Sequence, residues 1–293
     1  MSTLNKIRDI AIRQISDRQA IATISRLDVF SASETSELQP ILYEPTCCLV
    51  LQGAKRVIVG DHLTQYQAGE YFVATAEVIA LGKVVVEKHN EPYVAINLTI
   101  DPTIVASVLF DMPDVIQSPL GRGFGVSRAS ESLLDAWLRM MQLLENPDDI
   151  PVLATLIERE ILFRLLQGPL GSMLRQVAGP DSRLSNIRRV LSWIRGNYTQ
   201  HILIEELAEM AGMSVSVFHR HFKAVTAMSP IQYQKNFRLH TARRHLLDRQ
   251  RDIAGVAFSI GYESRSQFSR EYARLFGVSP SEDVRRLRPI VSR

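Results

Sequence analysis

The chain has 293 residues, 46% of them hydrophobic and 22% charged, with 15 Gly, 13 Pro and a formal net charge of +3. Such a composition supports one large core or two ordinary ones, and it excludes a disordered or a fibrous chain. Two Cys at adjacent positions cannot staple distant segments or supply four zinc ligands, so a disulfide framework and a zinc finger are excluded and a reducing compartment is expected.

At the N-terminus Leu4, Ile7, Ala11 and Ile15 recur at helical spacing with Asp9 and Asp17 interspersed, which predicts an amphipathic helix and not the unbroken apolar stretch of an export signal. No run approaches the roughly 18 apolar residues of a bilayer span. A cytoplasmic protein without a membrane partner is expected. Residues 41 to 100 are rich in Val, Ile, Tyr and Thr, with runs such as LVLQ, RVIV, YFVA, KVVV and VAINLTI punctuated by GAK, GDH, AGE and LGK. Short antiparallel strands closing into a small barrel or jelly roll follow from that spacing. Asp101-Pro102 is a good N-cap and first-turn pair, so a helix starts there and the strands are expected to end. Residues 130 to 145 place Leu133, Trp137, Met140, Met141 and Leu144 on one stripe, and 151 to 178 contribute Leu153, Leu156, Ile157, Ile161, Leu165 and Leu166. These amphipathic helices serve either as intradomain core or as the seam of a homodimer. AGPDS at 178 to 182 reads as a linker, giving domains 1–180 and 181–293.

Charge is divided at that linker. The first part carries 15 basic and 21 acidic residues, net −6, and the second 19 and 10, net +9, with 17 of its 19 bases Arg. Arginine's planar fork pairs with phosphate and with the guanine edge, so the second part points to a nucleic-acid partner.

From Leu184 to Leu287 the pattern is helical with an internal echo. LIEELAEMA is followed by Gly212, Met213 and Ser214, then VSVFHRHFKAV; DIAGVAFSI is followed by Gly261, Tyr262, Glu263 and Ser264, then RSQFSREYARLF. In each, Gly can take the left-handed conformation that ends the first helix, and Ser can cap the second. Two helix-turn-helix units result. Phe218 and Phe222 point inward, sending Ser216, His219, Arg220 and Lys223 outward; Phe268 and Tyr272 do the same for Arg265, Ser266, Gln267, Arg270 and Arg274. On helices set in a major groove, Arg suits guanine, Gln suits adenine and flanking bases meet phosphate. Arg220 and Arg270 are therefore expected to carry specificity. Between them a helix of about twenty residues, capped by Ser229 with Pro230 in its first turn, spans about 30 Å, close to the 34 Å recurrence of the groove.

These residues resemble the C-terminal DNA-binding domain of AraC/XylS-type bacterial transcription regulators, through ELAEMAGMSVSVFHRHFKAVTAMSP, FRLHTARRHLL and IAGVAFSIGYESRSQFSREYARLFGVSP, over about 185 to 288. The resemblance implies base contacts by Ser216, His219 and Arg220 in the first unit and by Ser266, Gln267 and Arg270 in the second. Phosphate contacts are expected from Ser214, Lys223, Ser264, Arg265 and Arg274. Two departures stand out. Ala227 sits where the family usually has Gly, so a left-handed residue there costs about 1 kcal/mol or the turn differs. Asp283-Val284 replaces the usual Tyr-Arg. The first 180 residues look like the N-terminal domain of one AraC-type subgroup, through LVLQGAKRVIVGD, YQAGEYFVATAEV, EPYVAINLTIDP and EREILFRLLQGPLG, which implies a cupin-like barrel acting as an effector or dimerisation module.

Other chemistry is weaker. His62 and His89 are 27 positions apart, not the close histidines of a catalytic cupin, so no metal and no cofactor are expected. His219 and His221 diverge around their helix, and His201, His240 and His245 read as surface or interface residues. Alternation sends one of Cys47 and Cys48 inside and the other outward; they are either small packing residues or a thiol sensor for oxidants or electrophiles. A DNA-repair methyl acceptor joined to such a domain needs four zinc-binding Cys. The sequence therefore predicts an α+β regulator that performs no reaction: a cupin-like β-barrel with a helical appendix, then an all-α domain with two helix-turn-helix units. Its expected partners are double-stranded promoter DNA, RNA polymerase, a small-molecule effector and a second copy. An enzyme acting on a metabolite in its barrel and an architectural DNA binder are the rival readings.

Overall fold

A computed structural model describes residues 2–16, 23–86, 91–112, 122–178, 183–247 and 252–291. Packing divides the chain into two units, Met1–Ser185 with Ala224–Ala227, and Asn186–Lys223 with Met228–Arg293. Among the described residues no helix is long and apolar enough to cross a membrane.

The first unit opens with helix α1 (Thr3–Ser16), then strands β1 (Leu27–Ala32), β2 (Gln39–Tyr43), β3 (Thr46–Gln52), β4 (Ala54–Val59), β5 (His62–Gln67), β6 (Glu70–Ala74), β7 (Val78–Val85) and β8 (Tyr93–Thr99). Helix α2 (Pro102–Phe110), strand β9 (Phe124–Arg128) and helices α3 (Glu131–Gln142), α4 (Ile150–Gln167) and α5 (Gly171–Ala178) follow. The strands form two antiparallel sheets, ordered β1-β8-β3-β6-β9 and β2-β7-β4-β5. The expected barrel is thus a two-sheet sandwich, with a core of Tyr43, Val57, Val59, Tyr66, Val78 and Ala80 from one sheet against Cys48, Val50, Phe72, Ala74, Tyr93 and Ala95 from the other. Strand β3 is buried on both faces, because α1 packs on the side of the larger sheet away from that core. Such a strand reads as a continuous apolar run instead of an alternation.

Three local expectations change. LGK at 81–83 is not a turn: Gly82 lies within β7, where a Cβ would run into the Ile41 side chain of the neighbouring strand. Asp101 does cap α2, accepting from Thr103 N at 2.8 Å, but β9 comes afterwards and pairs with β6. On α4, Ile161, Leu165 and Leu166 are buried while Leu153 and Leu156 are exposed. Of the AGPDS linker, residues 179–182 lie outside the described residues, as does His89.

The second unit holds α6 (Arg183–Gly196), α7 (Ile204–Met210), α8 (Val215–Thr226), α9 (Pro230–Leu247), α10 (Ile253–Ser259), α11 (Arg265–Phe276) and α12 (Pro280–Val291). Helix α9 begins in a capping box: Ser229 Oγ accepts from Gln232 N and Gln232 Oε1 accepts from Ser229 N. At its far end Arg243 donates Nε and Nη2 to the Asp283 carboxylate at 2.7 and 3.0 Å, and the Tyr272 hydroxyl donates to the same group at 2.6 Å. Asp283, one of the departures from the family pattern, is almost fully buried and joins α9, α11 and α12. Burial, then the bond to Asp283, pushes the Tyr272 hydroxyl far above the ordinary phenol range, so it remains a donor. Removing one member of such a group leaves the others buried and unpaired. Asp283→Ala is expected to lower stability by about 3 kcal/mol in urea unfolding of the second unit's transition; a change under about 0.5 kcal/mol, the usual surface range, would refute this account.

Candidate nucleic-acid interface

The two helix-turn-helix units share one backbone pattern. In the first, Gly212 has φ +64°, Gly212 N donates to Glu209 O and Met213 N reaches back to Ala208 O. In the second, Gly261 has φ +84°, Gly261 N donates to Phe258 O and Tyr262 N reaches back to Ala257 O. Both bonds spanning five residues satisfy carbonyls left open at a helix end. The second turn holds one more residue before its Ser. Phe218 N then bonds to Ser214 O, and Phe268 N to Ser264 O.

Ser264 caps α11, with Oγ accepting from Gln267 N and lying 2.7 Å from Ser266 Oγ. Ser214 is exposed, with its Oγ 3.5 Å from that of Ser216. The inward residues Phe218, Phe222, Phe268 and Tyr272 are fully buried. Ser216, Arg220 and Lys223 on α8 and Arg265, Ser266, Arg270 and Arg274 on α11 are exposed, with His219 and Gln267 half-buried. Each helix therefore presents one polar, basic face. Among the described residues no carboxylate pairs with Arg220, Lys223, Arg265, Arg270 or Arg274. The acid on α11, Glu271, is taken up instead by Lys235 Nζ at 3.2 Å, the Tyr262 hydroxyl at 2.8 Å and Gln267 Nε2 at 3.4 Å. Burial raises that carboxyl, and these donors more than offset it, leaving it below its ordinary range and ionised.

Side chains that sequence reasoning missed fix the two units to one another. On α9, Gln234 Nε2 donates to Tyr198 O and Gln200 O at 3.1 and 2.7 Å, and Arg238 donates to Tyr198 O, Gln200 O and Gly261 O at 2.5, 3.0 and 3.1 Å. Both side chains thus hold the loop before the first unit, and Arg238 also reaches the turn of the second. Gly261 is needed twice over, since a Cβ there would lie 2.5 Å from Thr199 O. Phe222 packs edge-on to Tyr233 of α9 at 5.7 Å. The four-residue spacing of Gln234 and Arg238 was the only signal of this in the sequence.

His221 is buried, off the reading face, and His201 is exposed. His240 stacks edge-on to Phe276, and burial with Arg243 and Arg244 nearby lowers its pKa to about 4. Cys48 faces the sandwich core and Cys47 the opposite side of the sheet, both buried. Burial pushes the Cys47 thiol up, which works against a reactive thiolate. Among the described residues no three His, Cys, Asp or Glu gather as metal ligands.

A family model described as the AraC-type transcriptional regulator N-terminus matches residues 23–173, and a helix-turn-helix domain model matches 207–286. The curated protein "HTH-type transcriptional activator RhaS" is similar in two organisms. The Citrobacter koseri protein is 28% identical over 54% of this chain and 56% of its own length, and the Escherichia fergusonii protein 31% identical over 53% and 55%. The chain thus spans a little over half the length of these relatives. Among solved structures, ToxT from Vibrio cholerae with an unsaturated fatty acid bound shares the fold, with TM-score 0.60 and 11% identity over 88% of this chain and 94% of that one.

If Ser264 acts as the cap of α11, Ser264→Ala should cost about 1 kcal/mol in stability and Ser264→Gly only a few tenths. Equal losses in thermal unfolding would contradict that role.

Proposed function

The chain belongs to the AraC-type transcriptional regulators, and from that premise we propose that it is a cytoplasmic, sequence-specific DNA-binding regulator that performs no reaction. Residues 181–293 are the DNA-binding domain and 1–180 the domain that receives a signal. The observation that carries this reading is the pair of basic faces on α8 and α11, each on the second helix of a matching turn and, among the described residues, with no carboxylate paired to Arg220, Lys223, Arg265, Arg270 or Arg274. Arg220 and Arg270 read base edges in successive major grooves, with Ser216, His219, Ser266 and Gln267 beside them. Lys223, Arg265 and Arg274 meet phosphate, and Ser214 and Ser264 lie where the backbone passes the helix starts.

Helix α9 has 18 residues, about 27 Å at 1.5 Å per residue, which suits reading helices one groove apart. A small molecule bound by the first domain would change promoter occupancy, and contact with RNA polymerase, through a difference in its affinity for two states of the chain. A second copy is the partner for α4, where Val152, Leu153 and Leu156 are exposed, the last to 59%.

In binding assays on sites selected from random DNA, Arg220→Ala and Arg270→Ala should each cost about 1 to 3 kcal/mol and relax preference at a few positions, while Lys223→Ala weakens all sequences alike. Equal, sequence-independent losses from all three would overturn the assignment. Sedimentation should give a dimer that Leu156→Glu converts to monomer, since a buried seam does not tolerate an unpaired charge; a wild-type monomer at micromolar concentration contradicts the pairing.

A further inference from the structure

The acid on α11 gathers donors from three directions. Glu271 Oε2 accepts from the Tyr262 hydroxyl at 2.8 Å, and Oε1 accepts from Lys235 Nζ at 3.2 Å and from Gln267 Nε2 at 3.4 Å. Tyr262 lies in the turn before α11, Lys235 on α9, and Gln267 one helical turn nearer the start of α11. Tyr262 is buried, with its ring edge-on to Phe268 at 5.5 Å. Burial, then the bond to Glu271, holds its hydroxyl above the ordinary phenol range, so it remains a donor. The Glu271 side chain is itself 12% exposed. Tyr262 and Lys235 therefore fix the carboxylate from behind, and Gln267, half-buried beside Arg270, is its partner on the reading face.

A carboxylate offers acceptors only. The amide of Gln267 must turn its nitrogen toward Glu271, which directs its carbonyl oxygen away. That carbonyl and the second N–H are left to meet a ligand. Together they complement adenine, whose major-groove edge has an acceptor at N7 and a donor at N6. Guanine has acceptors at both N7 and O6, so one of them would face the carbonyl of Gln267. A neutral amide in place of Glu271 could give or take hydrogen bonds, Gln267 could then turn either way, and the choice between the purines would be blunted.

The fold of such a unit does not require the pair. Counted from Ser214 and Ser264, Phe218 matches Phe268, Arg220 matches Arg270 and Phe222 matches Tyr272. At the places of Gln267 and Glu271 the first unit has Val217 and His221, yet its turn makes the same backbone bonds. Both polar residues occur together in one unit and are replaced together in the other.

We propose that Glu271 is a positioning residue for base recognition: its carboxylate, held by Tyr262 and Lys235, locks the amide of Gln267 in the orientation that selects adenine over guanine. This rests on the reading of α11 as a major-groove helix and adds what sets the choice made by one of its side chains.

The test uses the full chain and sites it selects from random DNA, with affinities read at one salt concentration. Gln267→Ala first locates the base pair that Gln267 reads, as the position where preference is lost. There the wild type should prefer adenine to guanine by about tenfold or more. Glu271→Gln should cut that preference to about twofold or less and leave preference at the position read by Arg220 unchanged. Tyr262→Phe removes one anchor of the carboxylate while keeping the buried ring, and should cut the preference about threefold. It carries the test if thermal melting shows that Glu271→Gln unfolds the domain. The variant with both Gln267→Ala and Glu271→Gln should match Gln267→Ala alone at every position. A base other than adenine at that position, or an adenine preference left intact by Glu271→Gln and Tyr262→Phe, would overturn the proposal. So would a change shared by all sites alike, as loss of a negative charge gives, or one that persists without Gln267. A wild type with no sequence preference sinks the groove reading itself. Preference traceable to Arg220 and Arg270 but not to Gln267 sinks the role of Gln267 and Glu271 alone.

Discussion

The second unit depends on one helix acting as a crossbar. Arg238 and Gln234 of α9 reach the backbone of the loop before one helix-turn-helix and of the turn inside the other. Carbonyls left open by two separate turns become acceptors for a single rigid element. The left-handed Gly261 makes this approach possible, because any side chain there would collide with Thr199. At the other end of α9, the carboxylate of Asp283 gathers Arg243 and Tyr272. In the proposed reading, two helices so held present a fixed spacing to a duplex, which adds to the base contacts of Arg220 and Arg270.

The helical half was legible in sequence because its signals are local. Gly followed by Ser, and aromatics four apart, specify a turn and a buried stripe within a dozen residues, and the exposed faces follow by rotation. Ala227 is an instructive exception: it does adopt φ +59°, so the turn keeps the family's shape at about the 1 kcal/mol that a side chain costs in that conformation. The crossbar contacts were not legible, since Arg238 finds partners 23 to 40 residues away and Asp283 finds Arg243 40 residues away and Tyr272 11 away. Nothing in their neighbourhoods announces those partners.

The β half was legible only as strands. Whether they close into a barrel or lie as two sheets is set by pairings such as β1 with β8 and β6 with β9, which join segments far apart in the chain. A five-residue edge strand containing Gly125 carries too little pattern to be found alone. Gly82 misleads in the other direction, as turn chemistry used for the close passage of Ile41. The apolar appearance of β3 hid that its two faces meet different surroundings, with Cys48 turned to the core between the sheets and Cys47 away from it.

The central claim is that α8 and α11 enter neighbouring grooves on one side of a single duplex. Hydroxyl-radical footprinting on a selected site tests it directly. The account predicts two protected tracts on the same DNA face, with centres about 10 base pairs apart. One tract alone, or protection without a fixed spacing, would contradict it.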